Sequence, residues 1–106
     1  MSTKITEMKD SGYILTSDGE KYYESLQPKV ESSLIRRQLP NNKWRKATNL
    51  DYTLYRRDIL LRRIIEGRPI LEPESKEYPG KTRMANQANE KELAKMVKAN
   101  LVRKVQ

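Results

Sequence analysis

The sequence predicts a mainly α fold: a short N-terminal hairpin or turn, two central helices, a Pro-rich connector, and a C-terminal helix able to pack on a partner. Three observations lead there. Apolar residues recur at three- and four-residue spacing over 50–66 and again over 86–105, the period of a helix with one buried face. Gly and Pro fall between these stretches, at 28, 40, 67, 69, 79 and 80, where helices start and stop. Only the short stretch 13–23 carries a strand-and-turn pattern.

Taken in order, the run Gly12-Tyr13-Ile14-Leu15-Thr16-Ser17-Asp18-Gly19-Glu20-Lys21-Tyr22-Tyr23 permits two local structures. In one, 13–16 and 20–23 pair as strands around Ser-Asp-Gly, since Asp-Gly supplies the positive φ of a tight hairpin. In the other, Thr16 caps a helix that starts at Ser17 and breaks or restarts near Pro28. The hairpin is the better of the two, because Gly19 in the first turn of a helix costs up to ~1 kcal/mol. Pro28 suits the first turn of a helix over about 28–39, with Val30, Leu34 and Ile35 inward, and Pro40-Asn41-Asn42 ends it.

The next helix runs over about 50–66, with Thr48 or Asn49 as cap, Asp51 in the first turn, and Gly67 followed by Pro69 as the stop. A 100° step puts Leu50, Leu54, Leu61, Ile64 and Ile65 on one face, and Tyr52, Tyr55 and Ile59 form a second stripe almost opposite. Such a helix is sandwiched in a small bundle or keeps one side for a partner. Residues 67–83 hold three of the five prolines and two glycines and read as an extended connector with a turn at Pro79-Gly80. Asn86 or Asn89 then caps a last basic amphipathic helix reaching Val105, with Leu93, Met96, Val97, Leu101 and Val105 on one side and Lys91, Lys95 and Lys98 outside. The organisation is a basic helical domain over 1–66, the connector, and the helix over 84–106.

Charge is the main clue to function. Of the formal +8, residues 36–68 carry ten basic and three acidic side chains (+7), whereas residues 1–35 carry four and six (−2). A field of this kind attracts polyanions and releases counterions from phosphates. The pairs Arg36-Arg37, Arg56-Arg57 and Arg62-Arg63 supply more than half of the arginines, and guanidinium forks match phosphate oxygens. On the 50–66 helix they form no single stripe. Arg56 and Arg63 share a direction, Arg57 points about 100° away toward the main apolar face, and Arg62 points elsewhere. Either the helix threads between nucleic-acid strands or subunits, or Asp58 and Glu66 pair with these arginines inside an ordinary fold. Lys43-Trp44-Arg45-Lys46 places an indole among three cations in an inter-helix loop; the cations suit phosphates and the ring suits an unpaired base. The structural alternative is that Trp44 folds back as a core anchor.

Catalytic constellations are missing. The chain has no Cys and no His, which removes thiol nucleophiles, imidazole bases and Cys/His zinc sites. Gly80-Lys81-Thr82 resembles the end of a phosphate-binding P-loop, but Ser75 stands where that signature needs Gly and no apolar strand precedes it. Glu72, Glu74 and Glu77 lie in the connector and suit a solvated acidic loop, and no calcium loop is present. Gly12-Tyr13-Ile14-Leu15-Thr16-Ser17-Asp18-Gly19 resembles the end of the wing in bacterial winged-helix regulators, where a strand finishing in Leu-Thr-x-x-Gly leads into a final helix. That family places its helix-turn-helix before the wing, and eleven residues precede Gly12 here, so none of its DNA-reading positions carries over.

The expectation is a non-enzymatic small basic protein, without cofactor or metal, that binds DNA or RNA or joins a nucleic-acid-containing assembly. Arg36, Arg37, Lys43, Trp44, Arg45, Lys46, Arg56, Arg57, Arg62 and Arg63 are its candidate contacts. The alternative is a protein-interaction module using the central helix and the C-terminal helix, with a protein partner on the latter. The start Met-Ser-Thr-Lys has no apolar leader, and no stretch has the ~18 apolar residues of a membrane span, so a cytoplasmic location without membrane contact is expected.

Overall fold

A computed structural model describes residues 11–41, 43–71 and 76–105. Asn42, the acidic residues Glu72 and Glu74, Ser75 and the Met-Ser-Thr-Lys start lie outside the described residues. The chain is mainly α, as its periodicity predicts. Strand β1 (Tyr13–Leu15) leads into helix α1 (Ser17–Arg37), followed by α2 (Asn49–Glu66), α3 (Pro79–Lys98) and strand β2 (Val102–Lys104).

At the N-terminal end the capped helix is observed, not the hairpin over 13–23. Thr16 is extended, and its Oγ1 accepts from the Gly19 amide at 2.9 Å. β1 takes its partner from the far end of the described chain. It runs antiparallel to β2 with Tyr13 opposite Lys104, Ile14 opposite Arg103 and Leu15 opposite Val102. Thr16 extends this junction, donating from its amide to the Leu101 carbonyl at 3.1 Å and from its hydroxyl to the Asn100 carbonyl at 2.7 Å. Gly19 is buried under the same carbonyl of Leu101, and a Cβ there would collide with it. Close approach, not a hairpin φ, is what requires glycine at this position.

Helix α1 is continuous through Pro28, which was expected to open a separate helix. Pro28 and Glu24 are both exposed, so the ladder bond that proline removes is lost on the solvent side. Of the expected inward residues Val30 packs against the core, whereas Leu34 and Ile35 are exposed. Helix α2 matches its predicted bounds closely. Thr48 and Asp51 form a reciprocal capping box, and Gly67, at φ 69°, ends the helix in the left-handed conformation.

The C-terminal part differs most from expectation. Pro79 opens α3 instead of marking a turn, and Asn86 and Asn89 lie within the helix instead of capping it. The helix stops at Lys98 because Asn100 adopts φ 63° and the Leu101 amide donates back to the Met96 carbonyl at 2.9 Å. This turn drives Val102 into the core as a strand residue. Nor does α3 keep its apolar side for a partner: Leu93 and Met96 are buried with Leu26, Leu60, Leu61, Ile64, Ile70 and Val102 in one cluster. All three helices and β2 thus share a single core. Ile70 anchors the connector, and Arg63 donates to its carbonyl at 3.1 Å. Among the described residues no helix is long and apolar enough to cross a membrane.

Leu61 has no exposed surface and sits at the centre of this cluster. Leu61→Ala should therefore lower unfolding free energy by about 2–5 kcal/mol, measured by urea denaturation.

Candidate nucleic-acid interface

The loop between α1 and α2 is built as a small antiparallel turn. Gln38 and Trp44 form an isolated bridge, the Leu39 amide donates to the Lys43 carbonyl at 2.8 Å, and the Arg45 amide donates to the Arg37 carbonyl at 2.6 Å. Ala47 is buried and ties the loop down before α2 begins. The turn leaves Lys43, Trp44, Arg45 and Lys46 all exposed, with the indole 54% accessible, so Trp44 is not a core anchor. Lys43, Arg45 and Lys46 make no ion pair among the described residues.

Arg37 organises this loop. Its guanidinium lies 5.6 Å from the centroid of the Trp44 ring and 5.5 Å from that of Tyr55. It also donates to the Tyr55 hydroxyl and to the Arg45 carbonyl, each at 3.1 Å. The Tyr55 hydroxyl, by accepting, holds the Arg37 pKa above its ordinary value. Behind Tyr55 stands Ser33, fully buried, 2.6 Å from the tyrosine oxygen and 2.6 Å from Asp51 Oδ1. The single hydroxyl proton of Ser33 goes to the carboxylate, so Tyr55 donates to Ser33 and Arg37 donates to Tyr55. All three bonds run toward one buried anion, an arrangement in which each polarises the next.

Asp51 completes the chain. Its carboxylate accepts from the Ser33 hydroxyl, from the Thr48 amide at 2.9 Å and from the Thr48 hydroxyl at 3.0 Å, and Arg36 lies 3.8 Å away. The Ser33 hydrogen bond first, and the Thr48 amide second, hold the acid at about 2, below its usual 3.8.

The remaining predicted contacts divide. Arg57 is ion-paired to the buried Glu92 through Nε and donates to the Tyr22 hydroxyl at 2.8 Å, which commits it to the α1–α2–α3 packing and withdraws it from the surface cluster. Arg62 pairs with Asp58 at 3.1 Å, as the ordinary-fold reading expects, whereas Glu66 pairs with Arg68 and not with a helix arginine pair. Arg56 donates to Asn89 at 2.6 Å, and Arg56 and Arg63 both border a groove between α2 and α3, as their common direction on the helix implies. Arg36, Arg37 and 43–46 gather around the end of α1; the other four do not join them. Sequence reasoning missed Ser33 and Tyr55, which hold Arg37 in place. Among the described residues no group of three His, Cys, Asp or Glu side chains is placed to hold a metal ion. Comparison with protein-family models, curated proteins and solved structures finds no match to this chain.

The depressed acidity of Asp51 has a definite sign. The unfolded chain takes up this proton first, so the Asp51 bonds stabilise fully above about pH 4 and lose their contribution as pH falls from 3.8 toward about 2. Asp51→Asn should be less stable than the parent at neutral pH and should show a flatter stability profile in urea unfolding between about pH 5 and pH 2.

Proposed function

We propose that the protein binds nucleic acid, gripping phosphates with Arg36, Arg37, Lys43, Arg45 and Lys46 around the exposed indole of Trp44. The observation that carries this reading is Trp44 itself, an exposed indole stacked with Arg37 and flanked by three cations that no carboxylate neutralises among the described residues. A solvated charge run serving only solubility has no need of a buried hydrogen-bond relay to hold one of its guanidinium groups in a fixed plane. Preorganised cations lower the entropic cost of contact, and phosphate oxygens accept from the guanidinium donors left over.

A second reading, a protein-interaction module, has its own support. Leu50 is 65% exposed and borders a shallow recess between α1 and α2, together with Pro28 and Leu54, and Ile35 is also 65% exposed. The apolar face of α3 does not serve this reading, because Leu93 and Met96 are in the core. Native purification with and without nuclease separates the two: loss of the partner on nuclease treatment supports nucleic acid, and survival of a defined protein complex supports the module.

Neutralising Lys43, Arg45 and Lys46 together should weaken binding to all nucleic-acid sequences. The log–log salt slope should flatten by up to ~0.9 per lost phosphate contact on duplex DNA, or ~0.7 on single strands. Trp44→Ala should hurt single-stranded ligands more than duplex ones, with little salt dependence, because an indole stacks only on bases already exposed. Titrations by fluorescence anisotropy at several ionic strengths measure both, and a parent protein without salt-sensitive affinity for any nucleic acid would refute the proposal.

A further inference from the structure

Beside the Trp44 loop runs a second surface with the same chemistry. A groove of about 270 Å³ lies between α2 and α3, lined on the α2 side by Tyr52, Tyr55, Arg56, Ile59 and Arg63. Tyr55 belongs to both places: its ring and hydroxyl hold Arg37 under Trp44, and it forms part of the groove wall. Tyr52 and Arg56 in turn border a further recess that reaches Lys91 and Lys95 on the outer side of α3.

The composition of this path selects its occupant. Tyr52 is 55% and Ile59 49% exposed, so neither is spent on the core. Arg56, Lys91 and Lys95 bring positive charge to it. Arg56 is oriented by a neutral partner, Asn89, and so keeps its full charge toward the groove. Among the described residues the one carboxylate in the lining, Glu92, is 8% exposed at its side chain and already ion-paired to Arg57, with Lys95 3.9 Å from its other oxygen. Glu90, the neighbouring acid on α3, borders a different recess, beside β1 and Ile70. An acidic peptide would meet the same cations but has no use for exposed rings. A duplex would meet the phosphate-binding cations but keeps its bases in the stack. Rings at intervals among cations suit a backbone whose bases are unpaired.

Resting on the reading of the Trp44 loop as a nucleic-acid site, we infer that the α2–α3 groove continues that site. One single-stranded polynucleotide runs from Trp44 past Tyr55 to Tyr52, with Arg56, Lys91 and Lys95 along its phosphates. Trp44 and Tyr52 are two separate base platforms, and affinity grows with strand length until both are covered.

The test compares oligothymidylate and oligouridylate of about 4 and about 12 nucleotides, lengths within the range of single-strand sites, on the full chain. Trp44→Ala should weaken both lengths. Tyr52→Ala should weaken the longer strand by roughly 5- to 150-fold, the worth of one stacked base, and leave the shorter one unchanged, while Tyr52→Phe should retain the parent affinity. Lys91→Gln with Lys95→Gln should flatten the salt slope for the longer strand only. The inference is overturned if Tyr52→Ala binds the longer strand as the parent does, or if polyglutamate displaces that strand equally well from the parent and from Tyr52→Ala. In either case an intact Trp44→Ala defect leaves the first site standing. A parent protein that binds neither length removes both.

Discussion

A carboxylate taken out of water destabilises a fold unless donors surround it, and Asp51, at 4% exposure, is surrounded. Thr48 closes the capping box and sets where α2 begins. Ser33 reaches across from α1 and fixes the spacing of the two helices at that end. Through Ser33 the same anion orients Tyr55, through Tyr55 it orients Arg37, and Arg37 lies under the ring of Trp44. The start of a helix, the packing of its neighbour and the pose of a surface loop therefore hang on one buried charge. Arg36 is close enough to add attraction, but it is largely solvated and counts for less than the bonded hydroxyls and amide.

The basic middle of the chain is divided between two tasks. Arg57 and Arg62 pair with Glu92 and Asp58, two buried acids. Arg36, Arg37 and the 43–46 loop stay at or near the surface, and Arg37, itself half-buried, is the one braced from behind by Tyr55. Net charge alone does not reveal this division, because the sum treats a guanidinium inside an ion pair and one facing water alike. The 100° step along α2 does reveal part of it, since it turns Arg57 toward the apolar face and sends Arg56 and Arg63 the same way.

What could be read from the chain follows the range of the interactions involved. The bounds of α2 rest on Thr48, Asp51 and Gly67, all local signals, and were legible. Its buried face was legible only in part. Leu61 and Ile64 are in the core as expected, but Leu60 joins them while Leu50 and Ile65 are half-exposed or more, because α1 and α3 together decide which sector is covered. That Lys43, Arg45 and Lys46 form an exposed basic loop was visible in the sequence. That Trp44 stands out with them was not, since an indole at that position suits a core equally well. Ser33 and Tyr55 lie 22 residues apart, and nothing local announces that they meet. Asn100 carried a signal that could have been used: asparagine tolerates the left-handed conformation, and reading it as a helix stop would have turned the last residues into a strand. Gly19 misled, since Asp-Gly favours hairpins and its actual role depends on a carbonyl far along the chain.

That carbonyl has a consequence for the order of events during synthesis. Thr16 and Leu101 are 85 residues apart, so the bonds between them close a loop that encloses nearly the whole described fold. A ribosome releases the early residues long before the late ones exist. Until the 101–104 segment emerges, β1 has no strand to pair with, the space over Gly19 is open, and the core lacks Val102. The helices α1 and α2 can meet around Asp51 in the meantime, because Ser33, Thr48 and Tyr55 are all in hand. This order lets the basic loop form before Val102 arrives to close the interior over Leu26 and Leu61.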